Sequence, residues 1–214
     1  MHHPFILFDL DGTLTDPGEG ITKCTAFALS HFGVVIEDLT SLHSFIGPPL
    51  KVSFRNYLSE EETYQAIALY RQRYASVGWK ENIPYPGIGQ LLKELVESGK
   101  TLLVATSKPE AFAVKILEHF GLAQYFSVIC GAPMDERAHS TKALVIADAL
   151  ARAGISDASQ AIMVGDRLHD VEGAHENGIA AIGVLYGYGD RAEHIACGAD
   201  HIAENLQELK ALLL

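Results

Sequence analysis

Phe5-Ile6-Leu7-Phe8-Asp9-Leu10-Asp11-Gly12-Thr13-Leu14-Thr15-Asp16 decides how the rest of the chain is organised. Four apolar residues without polar alternation predict a short strand buried on both faces, with Asp9 at its C-terminal end. Asp11-Gly12-Thr13 then forces a tight turn. Two carboxylates two residues apart at a strand end can share one hard cation. They can also divide labour, one attacking as a nucleophile while the other moves a proton. Such a pair is costly unless metal, protons or hydrogen bonds compensate the charges.

Working outward, residues 85 to 214 alternate between helical and strand patterns. Pro86 to Ser98 carries Ile88, Leu91, Leu92 and Leu95 on one helical stripe, and Gly99 stops it. Thr101 to Thr106 (TLLVAT), Phe126 to Cys130, Ala161 to Val164 (AIMV) and Ala180 to Val184 (AAIGV) read as further strands. Between them, helices are expected from Pro109 to Phe120, Thr141 to Ala153 and Val171 to Asn177, with a last one from Asn205 to Leu213. Buried strands separated by helices imply an α/β, doubly wound parallel sheet, with its site beyond the strands' C-terminal ends.

Residues 17 to 82 break the alternation and read as helical throughout. Ile21, Thr25, Ala28, Leu29 and Phe32 form one stripe, and Ser59-Glu60-Glu61-Glu62 is a capping-box start. The expected division is therefore residues 1–16 and 83–214 as an α/β core, with 17–82 inserted as an all-helical subdomain. Asp16-Pro17-Gly18 and Asn82 to Gly87 are the natural hinges.

The 214 residues suffice for one substantial core plus such an insert. With 27 acidic and 16 basic residues the net charge is −11, which disfavours sequence-independent binding to nucleic acid or anionic membrane. No stretch approaches the roughly 20 apolar residues of a membrane span, and the N-terminal apolar run is too short for a signal peptide. Cys24, Cys130 and Cys197 lack zinc-type spacing and read as the reduced thiols of a cytoplasmic protein. The ten histidines are scattered, and His2-His3 reads as a chain end.

The strand ends gather the chemistry: Asp9 after the first strand, Thr106-Ser107-Lys108 after the second, Lys142 at the helix after the third, and Gly165-Asp166-Arg167-Leu168-His169-Asp170 after the fourth. A phosphoryl group with Mg²⁺ needs such a set: carboxylates for the cation, N–H and O–H donors for phosphate oxygens, and a lysine for developing charge. Taken singly, Asp166 or Asp170 would be a helix cap and Lys142 a solvated lysine, with Lys108 its competitor. Their coincidence, in order, favours chemistry.

The motifs DLDGTLTD, VATSKP, Lys142 and VGDRLHD resemble those of haloacid dehalogenase superfamily phosphatases, in the phosphoglycolate-phosphatase-like branch with a helical cap after the first strand. The resemblance covers essentially the whole chain. It implies that Asp9 is the nucleophile and forms an aspartyl-phosphate. Asp11 would protonate the leaving oxygen, then activate water, with its backbone carbonyl on Mg²⁺. Thr106 would bind the phosphoryl group, with Thr13 and Ser107 as further substrate contacts. Lys142 would offset charge, Asp166 would be a metal ligand, and Asp170 would lie close to the metal. Haloacid dehalogenases proper lack an acid at the position of Asp11, because displacing halide needs no leaving-group proton, so Asp11 favours phosphoryl chemistry.

Substrate choice is expected from the cap, closing over the site and excluding water. Phe45 to Leu50 (FIGPPL) resembles the branch's site-facing loop, and Lys51 and Arg55, about one turn apart, are placed to touch a substrate phosphate or carboxylate. Tyr70, Tyr74 and Trp79 either stack on a base or pack the cap, the second being the commoner use of aromatics at helical spacing. VATSKPEAFAVKILEHFGL and GVLYGYGDRAE look most like bacterial 5′-nucleotidases of the superfamily. The expected enzyme is a Mg²⁺-dependent phosphomonoesterase of small phosphorylated metabolites, monomeric or a small homo-oligomer. The leaning is to nucleoside monophosphates, with phosphoglycolate the alternative. A phosphomutase, a receiver-type signalling domain and a non-catalytic binding protein are less favoured.

Overall fold

The computed structural model describes residues 3–134 and 141–214, so His2 lies outside the described residues. The chain divides into two compact units, 1–15 with 84–214, and 16–83.

The larger unit is built on a parallel sheet of six strands: β1 (Phe5–Phe8), β4 (Thr101–Pro109), β5 (Phe126–Ala132), β6 (Ala161–Gly165), β7 (Ala180–Val184) and β8 (His201–Ala203). Their order across the sheet is β5-β4-β1-β6-β7-β8. β1 lies centrally, its Phe8 in register with Val104 of β4 and Val164 of β6. The direction of winding reverses at β1, so the crevice beyond Phe8 is the topological switch point. The expected doubly wound α/β class is thus observed, with one strand more than the sequence pattern disclosed.

The apolar strands are buried on both faces because helices cover both. Leu7, Leu103, Ala105, Met163 and Ala181 share one core cluster with Val145, Ile146 and Ala149 of α6 (Lys142–Arg152) and Val171 and Ala174 of α7 (Leu168–Glu176). Ile6, Phe8, Leu102, Val104, Ile162 and Val164 alternate with these along the strands and face the other side, fully buried. α4 (Ile88–Glu97) buries the anticipated stripe Ile88, Leu91, Leu92 and Leu95.

Three boundaries depart from expectation in ways that matter for the site. β4 continues past Thr106 to Pro109, with an irregularity in its pairing to β5 between those residues. The helix after it, α5 (Glu110–His119), starts one residue later than expected. α7 begins at Leu168 rather than Val171, which puts Asp170 in its first turn. β8 and α8 (Arg191–Ala196) were not foreseen: β8 is three residues long, and α8 is less than two turns.

The smaller unit is helical but less regular than expected. α1 (Gly18–Ser30) buries Ile21, Thr25, Ala28 and Leu29 and ends before Phe32. A 3-10 turn over Leu39–Phe45 and the short α2 (Leu50–Phe54) follow. α3 (Glu60–Ser76) opens on the capping box at Ser59, whose hydroxyl accepts from Glu62 N–H while Glu62 accepts from Ser59 N–H. Tyr70, Tyr74 and Trp79 are buried in this unit, and the two tyrosine rings stack at 5.6 Å, so these aromatics pack the unit's interior. β2 (Thr15–Asp16) and β3 (Ile83–Pro84), where the chain leaves and re-enters the larger unit, pair as a two-stranded ribbon.

Candidate active site

β1 presents Asp9 with its backbone already fixed, since Asp9 N–H donates to the Val164 carbonyl at 2.9 Å. The turn that follows is closed by Leu10, whose carbonyl accepts from Leu14 N–H at 2.9 Å and Thr15 N–H at 3.0 Å. Gly12 sits in this turn at φ +82°, and a Cβ there would lie 2.0 Å from an Asp166 carboxylate oxygen. Only glycine satisfies both demands. The Asp-Gly-Thr sequence therefore brings the end of β1 against the end of β6.

Three elements converge on Asp9. Its Oδ1 accepts from Leu10 N–H at 2.8 Å and lies 2.9 Å from Lys142 Nζ. Lys142, the first residue of α6, is 4% exposed and also reaches Asp170 Oδ1 at 2.6 Å and the Ala105 carbonyl at 3.1 Å. Burial opposes the Lys142 charge, but Asp170 and Asp9 outweigh it and hold its pKa above the ordinary lysine value. Asp170 accepts from Arg167 N–H at 3.0 Å, so it caps α7 as well as facing Lys142. Burial pushes the Asp170 carboxyl up to about 6 despite that lysine.

Asp166 is 1% exposed. One carboxylate oxygen accepts from Tyr188 N–H at 2.8 Å, and Oδ1 is buried with no hydrogen-bond partner among the described residues. Burial, then the charges of Asp170 and Asp9, raise its pKa well above the usual carboxylate value. Asp9, Asp166 and Asp170 each offer an oxygen, and the three atoms lie within 4.8 Å of one another. Three acids face one ammonium, with an orphaned buried oxygen among them. An all-oxygen donor set of this charge suits a hard divalent cation such as Mg²⁺. A second acidic group, Glu110, Cys130 and Asp148, differs because Arg152 pairs with Glu110 at 2.9 Å and Asp148 at 2.6 Å.

Asp11 lies apart from the carboxylate cluster. Its Oδ2 is 2.5 Å from Lys108 Nζ, and its Oδ1 is buried without a partner among the described residues. Burial raises the Asp11 pKa, and Lys108 opposes that rise. Thr106 is buried at the end of the regular part of β4, its hydroxyl accepting from Lys108 N–H at 3.3 Å, while Ser107 is exposed. Thr13 is buried, and its carbonyl accepts from the Tyr186 hydroxyl at 3.1 Å. Lys51 and Arg55 belong to the helical unit and are engaged there. Lys51 Nζ lies 2.5 Å from the Tyr64 hydroxyl and 3.9 Å from Glu60, with which Arg55 also pairs.

Residues 186–193 form a part of this site whose role the sequence reading did not assign. Besides the Tyr188 and Tyr186 contacts, a Cβ at Gly187 would meet the Gly12 carbonyl at 2.3 Å and Asp166 Cβ at 2.4 Å. Glu193 accepts from Arg167 Nε and Leu168 N–H, both at 2.8 Å, and so anchors the start of α7. The visible signal was the pair of glycines in Tyr186-Gly187-Tyr188-Gly189, directly after a strand, where backbones approach closely.

Residues 6–184 match the model of the haloacid dehalogenase-like hydrolase family. The chain belongs to that family and is an enzyme of its phosphatase class. It is similar to a 5′-nucleotidase of Pseudomonas aeruginosa, 44% identical over 216 residues and spanning 100% of this chain and 96% of that protein. The tyrosine-protein kinase PtkA of Mycobacterium tuberculosis is 42% identical over 190 residues, which cover 89% of this chain and 64% of PtkA. Among solved structures, a predicted phosphatase from Clostridium acetobutylicum superposes with a TM-score of 0.92 at 46% identity, covering 98% of this chain and 97% of that one.

Proposed function

We propose that this enzyme is a Mg²⁺-dependent phosphomonoesterase that hydrolyses nucleoside 5′-monophosphates through an aspartyl-phosphate on Asp9. The observation that carries the reading is the group Asp9, Asp166, Asp170 and Lys142 at the switch point, with Asp11 standing outside it on its own lysine. Asp9 and Asp166 would hold the cation with the Asp11 carbonyl, and Asp170 beside them; when bound, it draws charge off the phosphate oxygens.

In the first step an Asp9 oxygen forms a bond to phosphorus while the bond from phosphorus to the leaving oxygen breaks. Asp11 delivers its proton to that oxygen, so the leaving group departs as an alcohol. Asp11, now a carboxylate, takes a proton from water as the water oxygen attacks phosphorus and the Asp9–phosphorus bond breaks. Inorganic phosphate and the starting carboxyl pair are restored. Lys142 offsets charge between Asp9 and the phosphoryl group, and its contacts to Asp9 and Ala105 hold it in place for that role. Thr106, Thr13 and Ser107 are assigned to the phosphoryl group. Residues 17–82 act as the cap, where a substrate anion would compete with Glu60 for Lys51 and Arg55.

The nucleotide preference is supported by the full-length similarity to the Pseudomonas 5′-nucleotidase. The three free cysteines suit a reducing, cytoplasmic setting, and no described helix is long and apolar enough to cross a membrane. Monomers or small homo-oligomers meet the needs of a site built within one chain.

The test is a panel of nucleoside monophosphates and phosphoglycolate, assayed for phosphate release with Mg²⁺, with excess chelator, and with Asp9→Asn. Chelator should abolish turnover, and Asp9→Asn should lower it about 10³-fold or more. Turnover that survives either treatment sinks the mechanism. A preference for phosphoglycolate overturns the substrate assignment. Transfer of phosphoryl from ATP to a tyrosyl peptide, without phosphate release from monoesters, would overturn both.

A further inference from the structure

The sequence offers two lysines near the site, and the structure gives each a different carboxylate. Lys142 serves Asp9 and Asp170, whereas Lys108 Nζ lies 2.5 Å from Asp11 Oδ2. The Lys108 side chain is only 6% exposed and that of Asp11 14%. A long cationic side chain enters so confined a place only when something guides it there.

That guide is the irregularity in β4. Thr106 pairs with Gly131 and Pro109 with Ala132, so Ser107 and Lys108 are accommodated opposite a single step of β5. Such a bulge re-aims the side chains it carries. It is held on both sides. Lys108 N–H donates to the Thr106 hydroxyl at 3.3 Å, and Gly131 leaves room for the backbone, since a Cβ there would lie 2.5 Å from the Lys108 carbonyl and 2.6 Å from Glu110 N. Thr106 and Lys108 are thereby tied to each other through the bulge, and Lys108 is the one in contact with Asp11.

We propose that Lys108 is a positioning residue for the acid/base, holding the Asp11 carboxyl by Oδ2 and so fixing its orientation for proton transfer to the leaving oxygen. The proposal rests on the phosphatase reading of Asp11. Its physical content is orientation: a carboxyl group pinned at Oδ2 by a buried ammonium has lost its rotational freedom before the substrate arrives. Lys108 touches neither the phosphoryl group nor the reacting atoms in this role.

A residue acting through the proton donor matters in proportion to how much the leaving group needs a proton. The test is therefore kcat/KM, which reports the first phosphoryl transfer, for two substrates: AMP, whose alcohol leaving group needs protonation, and p-nitrophenyl phosphate, whose phenolate does not. Lys108→Met should lower kcat/KM for AMP by about 10- to 100-fold and for p-nitrophenyl phosphate by less than about 3-fold. The ratio of the two is read on one preparation, so a variant that is only partly folded gives the same answer. Should Lys108→Met fail to fold, Lys108→Gln carries the same measurement. Lys108→Arg, which restores the cation, should recover part of the ratio. In an Asp11→Asn background, Lys108→Met should leave the ratio unchanged, because the group it positions is gone.

Equal losses for both substrates, or a full additional change of ratio in the Asp11→Asn background, would overturn the positioning role. They would leave the phosphatase reading standing as long as wild type hydrolyses AMP and Asp9→Asn does not. Failure of those two controls would overturn the underlying reading, and this proposal with it.

Discussion

Replacing Lys142 by methionine keeps much of the side chain's length and removes only the charge. In the wild type that charge is 4% exposed and sits 2.9 Å from Asp9 and 2.6 Å from Asp170. Taking it away removes the ammonium that Asp9 and Asp170 share and leaves the Ala105 carbonyl without its 3.1 Å donor. Breaking a buried ion pair by deleting one partner costs about 3–5 kcal/mol. For a chain of this size each kcal/mol is worth about 2–4 °C, so Lys142→Met should melt about 6–20 °C below wild type. The assay is thermal denaturation in chelator at pH 7.5, repeated at pH 5. Lys142, its pKa raised, stays charged at both values, so the pH dependence belongs to the acids. Asp170 titrates near 6 in the wild type, and without Lys142 opposing burial it would titrate higher still. At pH 5 a protonated Asp170 no longer needs a cation, and the deficit of the variant should shrink. Mg²⁺ should also shrink it at pH 7.5, by supplying the missing positive charge. A deficit under about 2 °C at pH 7.5, or an equal one at both pH values, would refute this account of the cluster.

Gly187→Ala should prove more harmful than an ordinary glycine substitution, because its Cβ meets the Gly12 backbone at 2.3 Å and Asp166 at 2.4 Å. Overpacking of this kind costs about 1–3 kcal/mol, and phosphate release should fall about 10-fold or more as Asp166 is displaced. Gly99→Ala, at φ +87° with open space around it, is the control and should cost about 1 kcal/mol with activity intact, as read by melting and turnover side by side. His194 is fully buried, its Nε2 facing the Val184 carbonyl at 3.3 Å, and burial lowers its pKa. Its depressed pKa means the unfolded chain binds the proton first. Stability should therefore fall as pH drops below about 6.5, and His194→Gln should flatten that part of the melting-versus-pH curve.

Much of the fold was legible because buried parallel strands carry a signal that needs no partner. FILF, TLLVA and AIMV are apolar on both faces, and helices cover both faces of the sheet they form. The short elements were not legible. HIA at residues 201–203 is too brief for a pattern, and its identity as a strand comes only from pairing with β7. Between Gly33 and Leu58 the helical expectation gave way to a 3-10 turn and a five-residue helix, because Phe45, Ile46 and Phe54 are buried without helical spacing to announce it. Lys51 and Arg55 read from the sequence as about one turn apart and placed to touch a substrate anion, but their engagement by Glu60 and Tyr64 depends on how α3 returns beside α2.

At the site, the strand ends already set Asp9 beside Lys142, Asp166 and Asp170 in the sequence, but what Asp11 and Lys108 each face was not legible there. Asp9 and Asp11, two residues apart on a single turn, read from the sequence as carboxylates that either share a cation or divide labour. In the structure they are separated by what each faces: Asp9 belongs with Asp166 and Asp170 around Lys142, and Asp11 with Lys108. No local spacing encodes that split. It requires a bulge in β4 whose geometry depends on Gly131 in the neighbouring strand, and a turn at Gly12 whose shape depends on Asp166 more than a hundred residues later. The weaker of the two lysine candidates in the sequence is the one that touches the Asp11 carboxylate. A lysine in the middle of a strand-end motif reads as solvated unless the strand is known to run on past it, and here β4 runs on to Pro109. Each carboxylate of the Asp9-Leu10-Asp11 pair thus has its own ammonium, so loss of Lys108 and loss of Lys142 should differ in kind: the first in which leaving groups are tolerated, the second in whether the cluster holds its charge at all.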